Sequence, residues 1–94
     1  MTVKKYFVYS KPNCPYCDQA KALLEQKQLP FEVIMLDVGQ PKVEGMKYAS
    51  REDILAIFPN ARTMPQINVA WTEPDGTNIS GYVGGFTELK ARLA

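Results

Sequence analysis

Two cysteines separated by two residues are the part of this sequence best suited to chemistry. Cys14 and Cys17 are its only cysteines, and the sequence contains no histidine. A bridge between them would close too short a loop to constrain the unfolded chain much, so a purely structural disulfide is the weaker interpretation. Two cysteines at this spacing are more typical of a redox or metal site.

The cysteine pair lies between a predicted strand and a predicted helix. Residues 4–10 are rich in aromatic and β-branched side chains, and Pro15 suits the first position of a helix. At a helix start, free backbone N–H groups and the helix dipole favour negative charge, so a thiol there ionises more readily. We therefore predict that Cys14 attacks a substrate disulfide. Cys17, one turn further on and more buried, would resolve the mixed disulfide, as could a small thiol.

The same residues allow other interpretations. The pair would make half of a zinc site, but the chain has no further cysteine or histidine to complete it, so we predict no metal. Inert, buried cysteines do not suit the junction of a strand and a helix. Lys11 either adds positive charge beside the thiolate or is an ordinary surface lysine. For Tyr16 we favour a substrate-facing position over simple packing.

The elements around the pair predict an α/β fold. A strand, a helix and a strand within some 35 residues form a βαβ unit, so the first two strands should be parallel. The later strands form a hairpin around residues 74–76. Residues 39–49 carry no clear pattern. We predict strands at 4–10, 31–37, 67–71 and 78–83, and helices at 14–28, after a cap at Ser50 and after a cap at Thr87.

Composition limits the classes of partner. We expect residues 1–94 to form a single domain. A net charge of +1, with acids and bases mixed along the chain, gives no electrostatic footprint for nucleic acid or an anionic membrane. No apolar run reaches the ~18–20 residues of a membrane helix, and the run at 6–10 is too short for a signal peptide. We expect a cytoplasmic monomer.

Three segments together resemble the signature segments of dithiol glutaredoxins. They are CPYC at 14–17, TMPQ at 63–66 and GGFT at 84–87, in this order and at about this spacing. The likeness spans nearly the whole chain. Short phage-type glutaredoxins are especially similar, through TMPQ and the PDG turn at 74–76. The resemblance implies a thioredoxin-like fold with a four-stranded mixed sheet of order 2-1-3-4, flanked by three or more helices.

The resemblance also implies an activity. Glutaredoxins reduce protein disulfides and glutathione mixed disulfides with glutathione as co-substrate, need no tightly bound cofactor, and often supply electrons to ribonucleotide reductase. One alternative is a thioredoxin-like enzyme served by a flavoprotein reductase. Another is a glutaredoxin that holds an iron–sulfur cluster between two chains, with Cys14 and glutathione as ligands.

Individual roles are implied by position in the family's motifs. Cys14 matches the nucleophile and Cys17 the resolving cysteine. Glu88 stands where many members have Asp, and the hairpin at 72–81 looks longer than usual. The residues implied to contact glutathione are Lys11 at a carboxylate, Tyr16, Met64 and a cis-Pro65 at the cysteinyl backbone, and Gly85, Phe86, Thr87 and Glu88 at the γ-glutamyl end.

Overall fold

The computed structural model describes residues 4–94. It contains strands and helices at all seven predicted positions, together with one short strand that the sequence pattern did not predict. In chain order the elements are β1 Lys5–Ser10, α1 Pro15–Gln26, β2 Phe31–Leu36, β3 Lys47–Ala49, α2 Arg51–Ile57, β4 Gln66–Thr72, β5 Asn78–Gly84 and α3 Phe86–Arg92.

The strands form one mixed sheet in the order β3-β2-β1-β4-β5. β1 and β2 are parallel, as the βαβ unit requires, and β2 and β3 are also parallel. β4 runs antiparallel to β1 and to β5. The predicted order 2-1-3-4 is confirmed in the central part β2-β1-β4-β5, and β3 is an additional strand at one edge.

The extra strand β3 is held in place by contacts that the sequence pattern does not predict. It has only three residues, too few to show an alternation of apolar and polar side chains. Lys47 forms an ion pair with Glu32 of β2, and the backbone N–H of Asp37 donates to the carbonyl of Ala49 at 2.8 Å. Pairing with β2, rather than a hydrophobic pattern, therefore orders the end of segment 39–49, whose sequence showed no clear pattern.

One face of the sheet packs against α1 and α3 and forms the main core. Along β1, alternate residues point into this core, which is the expected pattern for a half-buried strand. In α1, Cys17, Ala20 and Leu24 are buried. The buried core cluster consists of Tyr6, Val8, Ala20, Leu24, Ile67, Val69 and Leu89.

The cap of α2 is where the sequence predicted it, but the cap of α3 is not. Ser50 Oγ accepts a hydrogen bond from Asp53 N at 3.0 Å, which fixes the start of α2. For α3 the predicted cap at Thr87 is wrong, because the N-cap is Gly85. Glu88 Oε1 accepts from Gly85 N at 3.0 Å.

The earlier start of α3 has a backbone cause. Gly84 has φ +120°, a conformation open to glycine, and it turns the chain into the helix before Thr87 is reached. On the inward face of this helix, Leu89 is buried and Leu93 packs against the core. Within residues 4–94, no helix has the length and apolar character needed to cross a membrane.

Candidate active site

The two cysteines lie at the start of α1 and form a disulfide, with their Cα atoms 5.2 Å apart. Cys14 is the N-cap residue and Pro15 occupies the first turn, as predicted. Cys17 is fully buried and Cys14 is 5% exposed, so the predicted difference in exposure is present but small in this oxidised form. The backbone N–H of Cys17 donates to Cys14 Sγ at 3.2 Å. On reduction, the same N–H would stabilise negative charge on that sulfur.

A loop distant in sequence lies directly against the Cys14 sulfur. The carbonyl oxygen of Met64 is 3.6 Å from Cys14 Sγ, although the two residues are 50 positions apart. The Met64–Pro65 peptide bond is cis, as the resemblance implied, and Pro65 is buried. This loop therefore forms one wall of the redox site.

The segment Gly84–Gly85 before α3 forms a second wall of the site. A Cβ atom at Gly85 would lie 3.5 Å from the carbonyl oxygen of Pro65, so the two loops are in close contact. The rings of Tyr16 and Phe86 lie 6.2 Å apart, and Tyr16 is 60% exposed. The structure thus brings together the three segments that the sequence singled out.

The start of α3 presents backbone donors on this side of the site. The first intrahelical bond runs from Leu89 N to the carbonyl of Gly85, so the N–H groups of Phe86, Thr87 and Glu88 lie ahead of it. The Glu88 carboxylate turns back onto Gly85 N. Its side chain therefore serves the helix cap, while Thr87 stays exposed.

A cavity of about 130 Å³ borders the Met64 loop. Lys11 lines it, as does the first residue of α2, Arg51, and Arg62 of the loop. The described ion pairs of residues 4–94 involve other lysines. The rest of the lining comes from Leu36, Ile54, Leu55, Ala61, Thr63 and Met64.

Sequence reasoning found only one of these three cations. Arg62 directly precedes the TMPQ segment and Arg51 directly follows the Ser50 cap, so both positions were visible in the sequence. Their meeting with Lys11 depends on how α2 lies across the sheet, which no local pattern shows. Two polar residues were missed in the same way. Gln66 donates from Nε2 to the carbonyl of Thr63 at 2.8 Å and accepts from the Tyr82 hydroxyl at 2.6 Å.

Two acid–base groups of the sheet, Glu32 and Tyr9, have shifted pKa values. The hydrogen bond from Lys47 lowers the pKa of Glu32, and the charge of Lys5 acts in the same direction. Burial raises the pKa of Tyr9, with a smaller contribution from the Glu32 charge. Within residues 4–94, no group of three or more His, Cys, Asp or Glu side chains could hold a metal ion.

Comparison with known proteins agrees with this geometry. The glutaredoxin family profile matches residues 7–70. Glutaredoxin 3 of Escherichia coli is 39% identical over 56 residues, covering 58% of this chain and 68% of that protein. Glutaredoxin-1 of Bos taurus is 31% identical over 85 residues, covering 90% and 69%. The crystal structure of glutaredoxin 1 from Francisella tularensis superimposes with a TM-score of 0.63 at 25% identity, covering 97% of this chain and 93% of that one. The chain therefore belongs to the glutaredoxin family of glutathione-dependent oxidoreductases.

Proposed function

We propose that this glutaredoxin reduces protein disulfides and glutathione mixed disulfides through the dithiol site Cys14-Pro15-Tyr16-Cys17. The observation that carries the proposal is the placement of the Cys14 sulfur. It accepts a backbone N–H from Cys17 at the start of α1 and lies 3.6 Å from the Met64 carbonyl. A sulfur so placed is set up to react as a thiolate with a substrate that lies along the Met64 loop.

The first step is attack by the Cys14 thiolate on a substrate disulfide. A new S–S bond forms between Cys14 and one substrate sulfur, while the substrate S–S bond breaks and its other sulfur leaves as a thiolate. With a glutathione mixed disulfide, attack on the glutathione sulfur leaves Cys14 bound to glutathione. The thiolate of a second glutathione then attacks that sulfur, which releases Cys14 and forms oxidised glutathione.

A protein disulfide uses both cysteines. After the first exchange, the Cys17 thiolate attacks Cys14 Sγ, displaces the substrate's second thiolate and forms the Cys14–Cys17 disulfide. Two glutathione molecules then supply the two electrons that return both cysteines to thiols and leave as oxidised glutathione. Complete burial of Cys17 supports this division of roles, because an external disulfide has no access to it.

We place glutathione across the start of α1. Its sulfur lies at Cys14 and its cysteinyl backbone along Met64 and Pro65. One carboxylate faces Lys11, and the cavity supports adding Arg51 and Arg62 to that subsite. The exposed ring of Tyr16 faces substrate. The γ-glutamyl carboxylate lies at Gly85, Phe86, Thr87 and Glu88, where the free N–H groups of α3 support it.

The domain organisation, location, oligomeric state and subfamily are proposed from the sequence pattern. We propose that residues 1–94 form one glutaredoxin-like domain that acts as a cytoplasmic monomer. TMPQ and the PDG turn support a phage-type member. Ribonucleotide reductase, which many glutaredoxins serve, is a candidate among its disulfide substrates.

The electron source is tested in a coupled assay on a glutathionylated peptide. Turnover is followed through NADPH oxidation, with glutathione and glutathione reductase in one arm and thioredoxin reductase in the other. We expect turnover in the first arm and little in the second. Efficient turnover with thioredoxin reductase alone would instead support the thioredoxin-like alternative.

The placement of glutathione is tested by two variants. Lys11→Ala removes an exposed cation and should weaken binding by less than about 1 kcal/mol. Thr87→Pro removes a backbone donor at a first-turn position that accommodates proline, and should raise the KM for glutathione considerably more. Lys90→Ala, on the exposed face of α3, is the matched control. If Thr87→Pro has a normal circular dichroism spectrum and an unchanged KM, glutathione binds elsewhere.

A further inference from the structure

Gln66 is a polar side chain buried beside the redox site. Only 6% of the residue is exposed, although it is the first residue of β4 and follows Pro65 directly. Burying an amide is unfavourable unless both of its ends form hydrogen bonds. Both ends do: Nε2 donates to the carbonyl of Thr63 at 2.8 Å, and Oε1 accepts from the hydroxyl of Tyr82 at 2.6 Å. The amide therefore joins the loop before β4 to β5.

Tyr82 is anchored so that its hydroxyl can reach this amide. Its ring lies 5.6 Å from the ring of Phe58, which follows the last residue of α2. Phe58 in turn makes an edge contact with Tyr9 of β1, at 5.0 Å between ring centroids. Tyr82 is itself 61% exposed, so the main core does not need its side chain. The hydrogen bond from its hydroxyl to Gln66 is partly buried.

These contacts end at the wall of the redox site. The Thr63 carbonyl that Gln66 holds belongs to the residue before Met64, and the Met64 carbonyl lies 3.6 Å from Cys14 Sγ. The other end of the loop is fixed where Gln66 pairs with Tyr9 in the sheet. We infer that Gln66 and Tyr82 are positioning residues, which hold the loop Thr63–Met64–Pro65 at the distance from Cys14 that substrate binding requires.

This inference rests on the proposed function, because it takes the Met64 loop as the surface along which glutathione lies. Loosening the loop should weaken substrate binding, since the bound form then has to order a mobile wall. It should leave the chemical step nearly intact, because the Cys17 N–H that supports the Cys14 sulfur belongs to α1. The signature is an increase in KM with little change in kcat.

The first test is Tyr82→Phe. It removes the hydroxyl that donates to Gln66 and keeps the ring in contact with Phe58. We expect KM for a glutathionylated peptide to rise about 3–10-fold, the order of effect of one lost hydrogen bond, and kcat to stay within about twofold. The control is Tyr48→Phe. It also removes a tyrosine hydroxyl, one that accepts a hydrogen bond from Val43 N in the exposed segment before β3, and it should leave both constants unchanged.

The second test asks whether the two residues act in series. If Tyr82 acts only through Gln66, then Gln66→Leu should raise KM, and adding Tyr82→Phe to it should raise KM no further. Independent, multiplying effects would overturn the inference. Should Gln66→Leu fail to fold, the KM and kcat of Tyr82→Phe decide alone.

The outcomes separate this inference from the function on which it rests. A wild-type protein without glutathione-dependent turnover would contradict the proposed function. Active wild-type protein, with KM unchanged in Tyr82→Phe, would overturn the positioning role alone. A Tyr82→Phe variant that loses kcat and thermal stability together, at constant KM, would also overturn it, since that result indicates a structural role only.

Discussion

Gly84 joins β5 to α3, and replacing it by alanine should be costly for two separate reasons. Its φ of +120° lies in a region that residues with a Cβ rarely adopt, and such a conformation costs on the order of 1–3 kcal/mol. The added Cβ would also lie 2.7 Å from Glu88 Cγ and 2.9 Å from its Oε1. The Glu88 side chain would have to move, which removes the acceptor on Gly85 N.

The two effects add to a measurable loss of stability. Losing a helix-cap interaction costs about 0.5–2 kcal/mol. Together with the backbone cost, Gly84→Ala should lower the free energy of unfolding by about 1.5–5 kcal/mol. With a slope of about 2 kcal/mol per molar urea, in the usual range for a small protein, the unfolding midpoint should fall by about 0.8–2.5 M.

Two other glycines provide matched controls. Gly76, in the hairpin turn, has φ +89° but no atom within 4 Å of an added Cβ, so Gly76→Ala isolates the backbone cost. Gly81, in the middle of β5, has neither a positive φ nor such a neighbour. Gly81→Ala should be neutral or slightly stabilising, because alanine reduces the freedom of the unfolded chain.

The order of the three urea unfolding midpoints separates the backbone cost from the contact with Glu88. We expect Gly84→Ala to lose the most stability, Gly76→Ala less, and Gly81→Ala little or none. If Gly84→Ala lost no more than Gly76→Ala, the contact with Glu88 would contribute nothing. If all three behaved alike, the backbone reasoning would fail as well.

Three further predictions concern the thiol, an ion pair and the core. In the reduced protein, Cys14 should react with iodoacetamide with an apparent pKa below the ~8.5 of a free thiol, since a helix start stabilises the thiolate; a value at or above ~8.5 would refute this. The pKa of Glu32 is lowered in the folded state, mainly by Lys47, so its contribution to stability is present above its unfolded pKa of ~4.3 and disappears as the pH falls through the folded value. Glu32→Gln should therefore lower Tm near pH 7 and match the wild type near pH ~2, and an equal difference at both pH values would contradict the ion pair. Leu24→Ala should cost about 2–5 kcal/mol in urea unfolding because Leu24 is fully buried, whereas Leu55→Ala, at a residue 36% exposed, should cost clearly less.

The parts of the fold that local patterns encode were predictable from the sequence. The aromatic and β-branched residues of β1 and the Ser50 cap of α2 are short-range signals, and both predictions are confirmed. Two features of the fold did not follow from these signals. β3 is ordered by pairing with β2, and the start of α3 is set by the positive φ of Gly84 rather than by a capping hydroxyl on Thr87.

The candidate site was predictable to a similar extent. The cysteine pair was visible from residue type and spacing, and the resemblance supplied Met64 and Phe86. Arg51 and Arg62 were not predicted, because they meet Lys11 only after α2 has packed across the sheet. The link from Tyr82 to Gln66 was also missed, since a tyrosine and a glutamine 16 residues apart carry no sequence signal of a shared hydrogen bond.

The assignment of Cys14 as nucleophile is tested by the turnover of a glutathionylated peptide by Cys14→Ser and Cys17→Ser, with glutathione and glutathione reductase. Attack by Cys14 and resolution by glutathione predict that Cys14→Ser is inactive, while Cys17→Ser keeps substantial turnover on this substrate and loses the reduction of protein disulfides. If Cys14→Ser stayed active while Cys17→Ser lost both activities, the assignment of the nucleophile to Cys14 would be contradicted.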